Sequence, residues 1–272
     1  MSARNQAAAV PPCILVLAGR ERARAVVRSS FPRRRVRIVV ARDSADLSAH
    51  FRDTLVDAVL LDLGAPTDDT WRAAELAREF PSAPFFALSP MRVADAPAIA
   101  RCALLDFADI LADAIDDVAL RDLVAPRTFS ARFAEALAEP PAALAMGTPM
   151  QRQVWRAIVA HAGRTLRTTE IAELVGVTRE HLSRTFSAEG APNLKRVIDL
   201  VRMIAAAELS KNPGYDVGDV ARVLGFASSS HLSSTAQRVV GTRPASLSRL
   251  RTVDLVERFV HGRGRSRGEL AT

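Results

Sequence analysis

The chain has 272 residues, 49% of them hydrophobic and 25% charged, with a net charge of +7. That composition suits two ordinary globular domains, and no apolar run reaches membrane-spanning length. Cys13 and Cys102 are far apart and have no histidine beside them, which argues against a disulfide framework or a thiolate metal site and for buried thiols in a reducing compartment.

The charge is unevenly placed. Residues 1–125 carry 16 Arg against 17 acidic residues, whereas residues 126–272 carry 21 Lys and Arg against 13. The whole basic excess lies in the second half, as expected where that half meets nucleic acid.

Residues 1–12 (MSARNQAAAVPP) are small and polar and end in two prolines. They read as an unstructured tail without the apolar stretch of a secretory leader. Strands are predicted at Ile14–Leu17, Val36–Ala41, Ala58–Leu63, Pro84–Leu88 and about Ala108–Leu111. Helices are predicted between them at Glu21–Ser30, Ser44–Asp53, Thr70–Phe80, Ala94–Cys102 and Asp117–Val124. Continuous apolar strands alternating with helices predict a doubly wound, parallel five-stranded α/β domain over residues 13–125, its sheet covered on both faces.

The sharpest piece of this half is DAVLLDLGAP, Asp57 to Pro66. In order and length, residues 13–125 resemble the receiver domain of bacterial response regulators, a flavodoxin-like fold. The resemblance puts Asp62 at the phospho-acceptor position, Pro66 at the family's proline and Ser89, in PFFALS, at its Ser/Thr. The rest of that chemistry is missing. Ala18 and Gly19, in ILVLAGR, stand where the family has its acidic pair. No lysine occurs before Lys195, and Asp113 stands at the family's lysine position, with Ala114 in place of its proline. Phosphoryl transfer to a carboxylate needs Mg²⁺, and Mg²⁺ needs more than one hard oxygen ligand. The expectation is therefore a degenerate receiver, with Asp62 a vestigial phospho-acceptor or a structural capping carboxylate.

Residues 126–148 are rich in alanine and proline and read as an interdomain linker holding one helix, Ser130–Ala138. From Pro149 onward the pattern is helical, and HGRGRSRGELAT, residues 261–272, reads as a basic disordered tail. Within 149–260 a pattern occurs twice: EIAELVGVTREHLSRTF from Glu170 and DVARVLGFASSSHLSST from Asp219. Ile171, Ala172, Gly176 and Leu182 match Val220, Ala221, Gly225 and Leu232, with the second turn one residue longer. The small alanine lets two helices cross closely, the glycine supplies a turn other residues avoid, and the leucine anchors the second helix: the pattern of a helix-turn-helix, in tandem. Between the copies NLKRVIDLVRMIAAAELSKNPG reads as one long helix, with Leu194, Val197, Ile198, Val201, Ala205 and Leu209 on one face.

Residues 149–250 resemble the DNA-binding domain of the AraC/XylS transcriptional regulators. Arg202, Ala206 and Leu209 sit at the family's Arg, Ala and Leu positions, Gly225-Phe226 at its Gly-Phe, and Gly241 and Pro244 at its closing Gly-x-x-Pro. Leu232 and Ala236 replace a phenylalanine pair, Ser234 stands at an arginine position, and the segment after Pro244 is altered to Leu247-Ser248-Arg249.

The resemblance implies two recognition helices. In the first, about Thr178–Ser187, Thr178 is the N-cap and Leu182 and Phe186 face inward. Arg179, Glu180, His181, Ser183, Arg184 and Ser187 are left as outward candidates for DNA contact. In the second, about Ser228–Val239, the candidates are Ser228, Ser229, Ser230, His231, Ser233, Ser234, Gln237 and Arg238. Arg179 and Arg184 suit guanine or phosphate and Glu180 suits cytosine, whereas serine hydroxyls discriminate weakly.

The expected function is sequence-specific transcription regulation, with double-stranded DNA as partner and a cytoplasmic, nucleoid-associated location. The N-terminal domain would act in dimerisation, partner docking (RNA polymerase among the partners) or effector sensing. No catalysis, cofactor, metal or membrane is expected: no G-x-G-x-x-G follows the first strand, and His50 is the sole histidine before His161. A phosphorylation-controlled response regulator and a low-specificity architectural DNA binder are the alternatives.

Overall fold

The computed structural model describes residues 10–187 and 190–268, with the side chains of its last helix described through residue 262. The expected N-terminal tail lies largely outside the described residues. The chain divides into an α/β unit, Pro11–Arg132 together with Asn212–Tyr215, and a helical unit that takes in Phe133–Lys211 and the chain from Asp216 onward.

In the α/β unit five strands alternate with five helices: β1 (Cys13–Leu17), α1 (Glu21–Ser30), β2 (Arg37–Val40), α2 (Ser44–Asp53), β3 (Ala58–Asp62), α3 (Asp68–Glu79), β4 (Phe85–Ser89), α4 (Ala96–Leu104), β5 (Asp109–Ala112) and α5 (Asp117–Val124). Every pairing is parallel, in the order β2-β1-β3-β4-β5. The three central strands read CILVL, AVLLD and FFALS and are buried almost throughout, as a sheet covered on both faces requires. The edge strands β2 and β5 are half exposed.

One core joins the sheet to α2 and α3 through Leu47, Phe51, Ala73, Ala74 and Ala77. The other joins it to α1 and α5 through Ala23, Val27, Leu120 and Val124. Side-chain caps fix three of the helix starts: Asp43 for α2, Thr67 for α3 and Asp116 for α5. Parallel strands bring the carboxyl ends of β1, β3, β4 and β5 to one edge, where such folds place their sites. Cys13 and Cys102 are both buried, and burial pushes the Cys102 thiol up to about 11.

The helical unit contains α7 (Pro149–Val159), α8 (Thr168–Val175), α9 (Arg179–Phe186), α10 (Leu194–Leu209), α11 (Val217–Val223), α12 (Ser229–Val240) and α13 (Thr252–Gly268); α6 (Phe129–Ala136) precedes them. The stripe predicted for α10 is buried, but so are Leu200, Met203, Ile204, Ala206 and Ala207. A single apolar face is too narrow a description, because α7, α11, α12 and α13 all pack on this helix.

Two segments differ from expectation. Residues 126–148 hold the one expected helix, as α6, but add two short 3-10 turns, Ala125–Arg127 at their start and Ala142–Leu144. They bury Phe129, Phe133, Leu137, Leu144 and Met146, so their apolar residues anchor the chain where composition alone reads as a spacer. The expected disordered tail from residue 261 is instead helical through Gly268, as the continuation of α13. Leu255, Val256 and Phe259 bury the first part of that helix, and an established helix propagates more easily than a new one nucleates.

The approach of the α7–α8 connection to α10 depends on Gly163. It lies at φ +80°, and a Cβ there would come within 2.2 Å of Ala205 Cβ. Gly163→Ala should therefore cost about 1–3 kcal/mol from strain and overpacking together. Gly147, where a Cβ meets nothing within 4 Å, is the control. Urea denaturation of both variants checks this, and equal midpoints would contradict it.

Candidate nucleic-acid interface and the strand-end site

The two helix-turn-helix copies are built on the same turn. Gly176 follows α8 at φ +73° and Gly225 follows α11 at φ +67°, both left-handed. The next helix is then started by a hydroxyl cap: Thr178 accepts from His181 N–H at 3.2 Å, and Ser228 accepts from His231 N–H at 3.1 Å. Two residues separate Gly176 from the start of α9 and three separate Gly225 from the start of α12, the one-residue difference visible in the sequence.

Leu182 and Phe186 are fully buried beneath α9, and Leu232 and Ala236 lie buried beneath α12. On α9 this leaves Arg179, Glu180, Ser183, Arg184 and Ser187 exposed, together with the cap Thr178, and His181 half-buried. On α12 it leaves Ser229, Ser230, His231, Ser234, Gln237 and Arg238 exposed with the cap Ser228, and Ser233 half-buried.

The two surfaces differ in what they have free to offer. Among the described residues neither Arg179 nor Arg184 pairs with a carboxylate. On α12, Ser233 Oγ donates to Ser229 O at 2.9 Å and Ser234 Oγ to His231 O at 3.1 Å, so both hydroxyl protons are committed to the helix itself. The guanidinium of Arg238 is paired at 2.9 Å with Asp199 of α10. Sequence reading offered Arg238 as an available cation; the pairing, across 39 residues, leaves no local pattern to find.

Other polar groups brace the interior. Buried Gln151 Nε2 donates to Phe186 O at 2.9 Å, tying α7 to the end of α9. Arg202 Nη2 donates to Leu224 O at 3.0 Å while its guanidinium lies 3.7 Å from the centre of the Phe226 ring. Burial lowers the proton affinity of Arg202, and the aromatic face partly offsets the lost hydration.

In the α/β unit, Asp62 ends β3 at the strand-end edge, buried to 4% exposure. Its carboxylate is occupied. Arg20, just after β1, donates from Nε to Oδ1 at 2.9 Å, from Nη2 to Oδ1 at 2.5 Å and from its backbone N–H to Oδ2 at 3.0 Å. Gly64 N–H adds a bond to Oδ1 at 2.9 Å. The other side of the same guanidinium reaches Asp113, Nη1 to Oδ2 at 2.6 Å. Those two carboxylates hold the Arg20 guanidinium above its usual range, mainly through the Asp62 hydrogen bond. The guanidinium lies over Gly64, where a Cβ would come within 1.8 Å of Arg20 Cζ.

Ser89 is likewise engaged, donating to Asp95 Oδ2 at 3.2 Å and accepting from Met91 N–H. Arg92 pairs with Asp95 at 2.8 Å and reaches Gly64 O at 2.9 Å, and it holds the Asp95 carboxyl below the ordinary range. Sequence reading registered Asp113 as a reversed charge but missed Arg20 as its counter-ion. The signal was present, an arginine directly after Ala18-Gly19, the position of the absent acidic pair.

Among the described residues no group of three or more His, Cys, Asp or Glu could hold a metal ion, and no helix is long and apolar enough to cross a membrane.

Removing Arg20 leaves buried Asp62 without its cation and Asp113 with Arg22 alone, at 3.7 Å. Because the arginine is itself about a quarter exposed, the fully buried penalty is discounted, and Arg20→Ala should cost about 1–3 kcal/mol. Arg20→Lys should recover part of this, since an ammonium supplies charge without the two-sided fork. Denaturant titration tests it; wild-type stability in Arg20→Ala would show that the triad contributes little.

Comparison with known proteins gives one family match: residues 171–249 fit the model of a helix-turn-helix domain. A search of curated proteins finds no match. Solved structures that resemble the chain include a response regulator from Thermotoga maritima, 16% identical, covering 43% of this chain and 96% of its own, with TM-score 0.37. Full-length FixJ from B. japonicum is 15% identical over 83% of this chain and 96% of its own, with TM-score 0.36. RcsB from Salmonella enterica serovar Typhimurium, bound to promoter rprA in the presence of a phosphomimetic, is 21% identical over 69% of this chain and 97% of its own, with TM-score 0.34. The chain thus carries a helix-turn-helix DNA-binding domain of a transcription regulator, behind a parallel five-stranded α/β unit with the receiver-like strand order.

Proposed function

We propose that the protein is a sequence-specific transcription regulator of the AraC type whose α/β unit works without phosphorylation, through dimerisation, docking of a partner such as RNA polymerase, or effector sensing. The observation that carries the DNA reading is the repeated unit of glycine turn, hydroxyl cap and polar outer helix face, set in the basic half of the chain. A helix of this kind fits the major groove, where each base pair presents a distinct set of donors and acceptors. Arg179 and Arg184 supply forks for guanine or phosphate, and Glu180 an acceptor for cytosine. Thr178, His181, Ser183 and Ser187 border them. The serines, His231 and Gln237 of α12 make a softer surface, suited to backbone and shape more than to base identity.

Arg20 supports the phosphorylation-independent part. An aspartyl phosphate needs Mg²⁺ beside the carboxylate and space for three further oxygens. Here an internal guanidinium and a backbone N–H hold the Asp62 oxygens, and Ala18 and Gly19, directly after β1, offer no carboxylate to help bind a metal.

Three measurements test this reading. Selection of genomic fragments on the full-length protein at moderate salt should retain a few sites; uniform retention would favour an architectural binder. In competition assays Arg179→Ala and Arg184→Ala should reduce the preference for a selected site over scrambled DNA by about 1–3 kcal/mol where the contact is bidentate. Ser230→Ala should leave the ratio nearly unchanged, and an equal effect from both helices would refute the asymmetry.

The third measurement is incubation with acetyl phosphate and Mg²⁺. No covalent mass gain is expected; a stoichiometric gain abolished by Asp62→Asn would establish a phosphorylated regulator instead.

A further inference from the structure

Arg238 is the one charged residue of α12, and the helical unit already engages it. Asp199, in the middle of α10, is only 10% exposed at its side chain, and its Oδ2 accepts from Arg238 Nη2 at 2.9 Å. One turn further along α10, Arg202 grips the preceding turn through Leu224 O and the face of Phe226. The same helix therefore holds the second helix-turn-helix copy twice, once by its turn and once by the cation of its recognition helix. Arg238 keeps 55% of its side chain exposed, so its guanidinium lies at the boundary between Asp199 and solvent.

We propose that Asp199 sets the affinity of the second recognition helix by withholding Arg238 from the DNA backbone; this rests on the DNA-binding reading above. A phosphate oxygen that drew Arg238 away would leave the Asp199 carboxylate buried and unpaired, which is costly. Arg238 therefore remains with Asp199 in the complex, neutralises no phosphate and releases no counter-ion. The second helix meets DNA without a net cation, and the phosphate charge is met by the rest of the basic half.

The test is the salt dependence of binding by the full-length protein to a duplex of random sequence. It compares wild type, Asp199→Asn, Arg238→Ala and the double variant, with folding followed by circular dichroism. Asparagine keeps the size and one acceptor of aspartate while removing its charge. In Asp199→Asn, log K against log salt should steepen by about 0.9, the value for one added phosphate contact. Affinity should rise for selected and scrambled DNA alike. Arg238→Ala alone should keep the wild-type slope, and the double variant should lose the gain.

An unchanged slope in Asp199→Asn overturns the proposal. So does an Arg238→Ala variant that flattens the slope in the wild-type background, a measurement that leaves Asp199 untouched and stands even if Asp199→Asn fails to fold. Wild type that retains no DNA at low salt refutes the DNA-binding reading, and this proposal with it. Wild type that binds normally while Asp199→Asn changes nothing refutes this proposal alone.

Discussion

The helical unit depends on a single helix with no free face. α10 buries Leu194, Val197, Ile198, Leu200, Val201, Met203, Ile204, Ala205, Ala206, Ala207 and Leu209, and α7, α11, α12 and α13 pack on it. A helix surrounded in this way decides what its neighbours can present. Its small residues set the closest approaches: Ala205 lies where only a glycine at 163 fits. Its few polar residues are aimed, Asp199 at α12 and Arg202 at the turn before it. Burying a charge is tolerable only when a partner faces it, so each of these two groups fixes a group on another element.

The same rule explains the strand-end edge of the α/β unit. Asp62 and Asp113 are both almost fully buried and need a cation. A phospho-accepting site meets that need with a bound metal and a lysine. This chain meets it with a covalently attached guanidinium whose planar fork reaches both carboxylates at once. Viewed position by position, Arg20, Asp62 and Asp113 are three unrelated charges. Viewed together, they are one ion-paired group at the ends of β1, β3 and β5.

That contrast marks what the sequence could convey. The parallel sheet was readable because β1, β3 and β4 are continuous apolar runs separated by helical patterns, and the boundaries of α1, α2 and α5 coincide with their predicted ends. The tandem motif was readable because Gly176 and Gly225 serve the same left-handed turn, so the residues recur with the geometry. Pairings between distant residues were not readable. Arg20 and Asp113 are 93 residues apart, and Asp199 and Arg238 are 39 apart; no local periodicity records either. The continuation of α13 through a glycine-rich stretch escaped for a different reason. Composition argues against helix there, while the packed turns before it supply the nucleus that an isolated segment lacks.

The helices α9 and α12 show how a repeated frame can carry unequal chemistry. Turn, cap and inward leucine are shared, so both helices are held in the same local way. Side chains outside that frame are free to diverge. In the first copy, bulky Phe186 fills the interior and the arginines remain unpaired among the described residues. In the second, Ala236 stands at the equivalent depth, Val239 and Val240 complete the packing, and the one arginine serves α10. Polar side chains that hold a structure together are withdrawn from recognition, because a hydrogen bond or ion pair made internally must be broken before it can be offered to a ligand. On the proposed reading, the less specific helix is then the one whose polar groups contribute most to holding its own unit together.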